Sequence, residues 1–242
     1  MGTMTESGSV ESRWAGLCRL GGVTALVIAV LLLGEILVYS VLPRPSTVVE
    51  HFALFRTNWL VGLLTLDLLG MIAYLLFVPT ILALYMTLRQ TSEAVALVAT
   101  VLFFVGIAAF FASNTAFPLL SLSRQYAAAA SDAERSILAA AGQSMLATFN
   151  ENAFHVSYVI VSSSWLLISV AMLRSTTFGP IISYAGVLAG AAGIVAVVLE
   201  LSSTKVLFAA ISLYFAAIVF LLIWVVLAGR RLLNLGARDL QA

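Results

Sequence analysis

The sequence predicts an all-α, polytopic membrane protein: a bundle of about six transmembrane helices with an amphipathic helix between the third and fourth. Three observations carry this. Of 242 residues, 62% are hydrophobic and 10% charged, against about 25% charged in a soluble domain, so polar groups are too few to cover a water-facing surface. Mean hydropathy is +1.09. Apolar stretches near the roughly 20 residues needed to cross a bilayer recur along the chain, without the short alternating strands of a barrel. A net charge of +1 gives no reason to expect a nucleic-acid partner. The lone Cys18 rules out an internal disulfide or cysteine-based metal cluster within one chain.

The predicted spans are approximately 21–42, 59–88, 94–117, 153–173, 181–200 and 206–228, within one transmembrane domain over residues 1–242. Lipid offers no hydrogen bonds, so each is read as a helix. Arg13 and Arg19 before an apolar run resemble a signal peptide. The run to Leu42 exceeds a typical h-region and Pro43-Arg44-Pro45 is a poor cleavage site, so a retained first helix is expected. The second span, about 30 residues and so about 45 Å as a helix, must tilt, protrude or bend. Pro79 inside it removes the bond to the Leu75 carbonyl and predicts a kink.

Between spans three and four, residues 118–152 form the one sizeable polar segment, expected outside the cytoplasm. Ser131-Asp132-Ala133-Glu134 reads as a capping box. Leu138, Met145, Leu146 and Phe149 recur at helical spacing, the pattern of an amphipathic helix on the membrane surface or roofing the bundle. The division into three plus three spans suits an inverted repeat, but the halves show no similarity. In the fifth span Gly186 and Gly190 form a GxxxG pair, readable as intramolecular packing or as a homo-oligomer seam. Arg13, Arg19, Arg89, Arg174, Arg230, Arg231 and Arg238 fall on one side and Arg44, Arg56, Arg124, Arg135 and Lys205 on the other, which places both termini in the cytoplasm of a cell (inner) membrane.

Acids inside spans are costly and each needs a reason. Glu35 and Asp67 both fall roughly 10–12 Å below the outer ends of spans one and two. Tyr39 is one turn from Glu35, and Tyr74 lies two turns from Asp67 with Gly70 between. Glu151, Asn152, His155 and Tyr158 form one stripe entering span four, Asn114 stands near the outer end of span three, and Glu200 ends span five. The predicted ligand-binding set is therefore Glu35, Tyr39, Asp67, Tyr74, Asn114, Glu151, His155 and Tyr158. No catalytic residue, cofactor or metal is assigned.

Three readings are compatible with this polar cluster. It is a small-molecule or lipid-headgroup site open to the outer face, with transport through Glu35 and Asp67 as one version. Alternatively the groups bond across helices in a structural or regulatory membrane partner without a substrate. The third is a metal-dependent membrane hydrolase using His155, Asp67 and Glu35 or Glu151. His51 and His155 are the only histidines, and neither belongs to an HExxH pair, which weakens the third. Membrane lipids are the expected surroundings in all three.

Asn152-Ala-Phe-His-Val-Ser-Tyr-Val-Ile, Met172-Leu-Arg-Ser-Thr-Thr-Phe-Gly-Pro, Tyr184-Ala-Gly-Val-Leu-Ala-Gly and the closing Ile223-Trp-Val-Val-Leu-Ala-Gly-Arg-Arg-Leu-Leu-Asn-Leu-Gly resemble the bacterial membrane family called domain of unknown function 4386. The likeness runs from about Leu17 to Gly236 and is clearest after Asn152. It implies a multi-pass bacterial membrane protein, and no established reaction, cofactor or catalytic residue.

Overall fold

The structure, a computed structural model, describes residues 5–42, 45–149, 154–202 and 207–238. These form nine helices: α1 (Thr5–Val41), α2 (Val48–Thr57), α3 (Trp59–Leu64), α4 (Leu68–Ser113), α5 (Ala116–Ala128), α6 (Asp132–Ala147), α7 (Phe154–Leu173), α8 (Pro180–Ser202) and α9 (Leu207–Arg238). No strand occurs among the described residues. Five helical stretches are long and apolar enough to cross a membrane: Trp14–Val41, Leu68–Ala128, His155–Leu173, Pro180–Ser202 and Leu207–Ala237. The chain is a membrane protein, with α-helices as its crossing elements.

The long helices form a closed ring. α4 packs on α1 and α7, α8 on α7 and α9, and α9 returns to α1. Small residues set these contacts. A Cβ on Gly22 would lie 2.8 Å from the Gly229 carbonyl oxygen, and one on Gly21 would lie 2.9 Å from that of Pro79. Beside Gly21 the buried hydroxyls of Thr24 and Thr80 bond at 2.9 Å, and Thr80 also donates to the Gly21 carbonyl. Ser164 of α7 donates to the Ala99 carbonyl of α4 at 2.7 Å. The core inside the ring holds Ile28, Leu84, Phe103, Ile168 and Trp224, all fully buried.

Three expectations about the spans change. Spans two and three are one helical element, α4, whose internal non-helical residue is Ser92 (φ −149°, ψ 57°). The chain folds back there, because Tyr74 meets Phe110 and Phe77 meets Phe103, with ring centroids 4.6 and 5.6 Å apart. The backbone of α4 keeps helical dihedrals through Pro79, where α1 approaches. The excess length of span two is resolved at its start: Trp59–Leu64 separates as α3, and Asp67 adopts a left-handed backbone (φ 67°) before α4 begins. Arg230 and Arg231 lie inside α9 rather than after it.

Gly186 and Gly190 face their own chain. A Cβ on Gly186 would meet Trp224 Cδ1 at 2.6 Å, and one on Gly190 the Ser162 carbonyl oxygen at 2.6 Å. Both glycines are buried, packed against α7 and α9 of the same chain.

The four short helices cap one end of the ring. α2, α3, α5 and α6 share a second core around Phe52, Phe55, Leu119, Leu146 and Phe149. Their starts use side-chain caps. Thr47 accepts the Glu50 N–H while Glu50 reaches back to the Ser46 N–H at 2.6 Å. Ser131 accepts the Glu134 N–H while Glu134 reaches the Ala130 N–H at 3.0 Å. Asn58 closes α2 through its backbone N–H and opens α3 through Oδ1. Gly142 lets α6 sit directly on Val48 and Phe52.

Candidate functional site

Beneath this cap lies a cavity of about 810 Å³. Five long helices contribute to it. From α1 come Glu35 and Tyr39; from the start of α4, Asp67 and Tyr74; from α7, His155 and Tyr158; from α8, Glu200; from α9, Tyr214. The cap supplies the roof through His51, Leu146 and Phe149, and the floor is apolar, with Leu32, Phe77, Trp165 and Leu221.

The polar groups sort into two sets. Glu35 and Asp67 form an acid pair across α1 and α4, their side chains within hydrogen-bonding reach of one another. Asp67 is 5% exposed, and its Oδ1 has no hydrogen-bond partner. The carboxylate lies over Gly70, where a Cβ would collide with it. In the second set, Glu200 Oε2 lies 3.2 Å from His155 Nε2 and accepts the Tyr214 hydroxyl at 2.7 Å. Tyr158 stands between the sets, its ring centroid 5.5 Å from Tyr214 and 6.3 Å from Trp165.

Two further buried polar atoms on the lining lack a hydrogen-bond partner: His51 Nδ1 and Trp165 Nε1. Trp165 is 3% exposed. His51 sits in the cap, where burial pushes its imidazole pKa below the ordinary value and the neighbouring Glu50 carboxylate partly opposes that. Glu50 is itself held low by the Ser46 backbone and hydroxyl donors.

A model of the family described as Domain of unknown function (DUF4386) matches residues 20–229. The chain belongs to this family. No curated protein and no solved structure matches it significantly. The site of this DUF4386 chain therefore has to be read from its own geometry.

Of the residues singled out in the sequence, Glu35, Tyr39, Asp67, Tyr74, His155 and Tyr158 line the one cavity. Asn114 does not. It terminates α4, where its Nδ2 donates to the Leu66 carbonyl at 3.3 Å and its Oδ1 accepts the Ala116 N–H at 3.0 Å. The turn from α4 into α5 exposes backbone groups that need this amide. Glu151 and Asn152 lie outside the described residues.

Sequence reasoning missed His51, Trp165 and Tyr214 as lining residues of the DUF4386 chain, and noted Glu200 without its partners. Tyr214 sits in an apolar run, and its bond to Glu200 needs the α8–α9 pairing, which local spacing does not encode. Among the described residues no three His, Cys, Asp or Glu side chains converge as a metal-ligand group. The acids instead pair as Glu35 with Asp67, and Glu200 with His155.

Proposed function

We propose that the DUF4386 chain is a six-crossing protein of the bacterial inner membrane, with both termini cytoplasmic and a binding cavity entered from the outer side. The two arms of α4 on either side of Ser92 are each about 30–36 Å long, enough for one crossing apiece. Orientation rests on charge. Arg19, Arg89, Arg174, Arg230 and Arg231 gather at the end of the ring opposite the cavity, against Arg56, Arg124 and Arg135 in the cap. α5 and α6 then belong to an outer cap.

One observation favours binding over a purely structural role. A packing function calls for acids bonded across helices with no void, yet here a large space is lined by buried polar atoms that no protein group satisfies. Buried polar atoms without partners are rare in folded proteins and call for an occupant, water included. The occupant is a small polar molecule or a lipid headgroup.

Thiol labelling tests this reading. In a Cys18→Ser background, Ser40→Cys on the cavity wall is expected to react with a membrane-impermeant maleimide in intact spheroplasts. Ala237→Cys, exposed at the other end of α9, is expected to react only after permeabilisation. The opposite pattern overturns the sidedness. Protection of both positions in both preparations overturns the open cavity.

A further inference from the structure

The lining of the cavity restricts the chemistry of what it takes. We propose, building on the binding reading above, that the occupant is an organic ammonium ion carrying a hydrocarbon group. The ammonium is seated at Glu35 and Asp67, and the hydrocarbon on the aromatic floor.

Charge is the first argument. Three carboxylates reach the lining, and no Lys or Arg stands among its described residues. Glu200 is engaged by His155 and Tyr214. The Glu35–Asp67 pair faces the cavity, and Asp67 Oδ1 is buried and unpartnered there. Among the described lining residues an anion meets the acid pair and no Lys or Arg. Two carboxyl groups bonded to one another share a proton, so the pair keeps one negative charge, which a neutral amide leaves uncompensated. A cation with N–H groups answers both the charge and the unpaired oxygen.

The walls give the second argument. Tyr74, Tyr158 and Tyr214 flank the acid level, and Phe77 and Trp165 pave the floor with ring centroids 5.9 Å apart. Aromatic faces beside carboxylates are the arrangement that recognises alkylammonium groups. Asp67 and Phe77 are ten residues apart on α4, so acid level and floor differ by about 15 Å along the axis. That distance separates a charged head from an apolar tail. Trp165 Nε1, deep and unpartnered, adds a donor for an acceptor oxygen or a water retained at the floor.

The route in is also visible. Gly22, Gly229 and Gly236 lock α1 against α9 at the basic end. Towards the cap the facing residues are Tyr39 on α1 and Phe215 and Ile218 on α9, and all three line the cavity. Tyr39 is 37% exposed and Phe215 61% exposed, so the same residues also meet the surroundings of the ring. The occupant arrives either as a free amine from water or as an ammonium amphiphile, such as an aminophospholipid, through this gap.

Full-length protein in a nonionic detergent tests both the chemistry and the source. Benzylammonium is titrated against phenylacetate of similar size, with thermal unfolding and calorimetry as readouts. The cation is expected to bind saturably and raise the melting temperature, and the anion to do neither. Asp67→Asn, which keeps a residue tolerant of the left-handed backbone, is expected to weaken the cation by about tenfold or more; Glu35→Gln serves if that variant fails to fold. Mass spectrometry of protein extracted with native lipids supplies the other arm. Phosphatidylethanolamine retained by the wild type and lost from Asp67→Asn assigns a lipid source, and cation binding without retained lipid assigns an aqueous one. Equal binding of phenylacetate, or cation binding unchanged in both variants, overturns the proposal. If Ser40→Cys labels from outside while the cavity takes the anion, this inference fails and the binding reading stands.

Discussion

His155 Nε2 lies 3.2 Å from Glu200 Oε2, joining α7 to α8 at the wall of the cavity. The same oxygen accepts the Tyr214 hydroxyl at 2.7 Å, so α9 is tied in as well. Three consecutive members of the ring therefore converge on one atom. Tyr214→Phe is expected to lose about 1.5 kcal/mol, the lower part of the range for a hydrogen bond to a charged group because the site is partly exposed. Glu200→Leu is expected to cost more, since it strips a partner from both neighbours. If the three act as a unit, the double variant costs less than the two single losses combined. Simple additivity in denaturant unfolding in micelles would show the contacts to be independent.

Asp67 stands in the left-handed region with its carboxylate over Gly70. Non-glycine residues are uncommon there, Asn and Asp being the tolerated exceptions, and β-branched side chains fit worst. Asp67→Asn is expected to fold with wild-type stability, and Asp67→Val to lose about 1–3 kcal/mol. Gly70→Ala is expected to destabilise by displacing the carboxylate. In an Asp67→Gly background, where nothing occupies that space, the same change is expected to be harmless. Equal costs of Gly70→Ala in both backgrounds would sink this account of the glycine.

At Gly190 the obstacle is backbone. A Cβ would lie 2.6 Å from the Ser162 carbonyl oxygen and 2.7 Å from the Leu166 nitrogen, neither of which swings aside. Gly190→Ala is expected to cost about 1–3 kcal/mol as overpacking. Gly16→Ala meets nothing within 4 Å and is expected to be neutral or slightly stabilising. Particle mass, read by light scattering with detergent subtracted, is expected to be unchanged in Gly190→Ala. A change of oligomeric state would favour the seam reading of the GxxxG motif.

Burial cost and depth were sufficient, from sequence alone, to pick out Glu35 and Asp67. The rise per residue is fixed, so two acids at similar depth on consecutive helices meet when those helices pack antiparallel. The Ser131 cap was legible for a similar reason, since a cap is a contact within four residues. The start of span two was not legible. Trp59–Leu64 is as apolar as any crossing segment, and Asp67 enters its left-handed turn without the glycine that normally marks one. Asn114 misled because an amide near a helix end serves as a cap as readily as it serves a cavity. His51 and Tyr214 depend on how α2 folds over the ring and how α9 registers against α8, contacts that no local period encodes.

His51 gives the fold a pH dependence separable from the acids. Its folded pKa is lowered, chiefly by burial, below the ordinary 6.5. Between the two values the unfolded chain binds more protons than the folded one, so stability rises with pH across that window. The contribution of neutral His51 is complete above about pH 6.5 and falls away as pH drops towards the folded value. Glu50 acts in the opposite sense of charge: its folded pKa is lowered by Ser46, so its contribution is present above its ordinary 4.5 and lost on further acidification. Acidification therefore removes the His51 share first. The melting temperature in detergent is expected to fall between about pH 7.5 and 5.5, and to fall less in His51→Gln. Glu50→Gln is expected to alter mainly the loss at lower pH. His155 is present in every variant, so the difference between wild type and His51→Gln isolates the cap histidine. An identical fall in both would remove His51 as its cause.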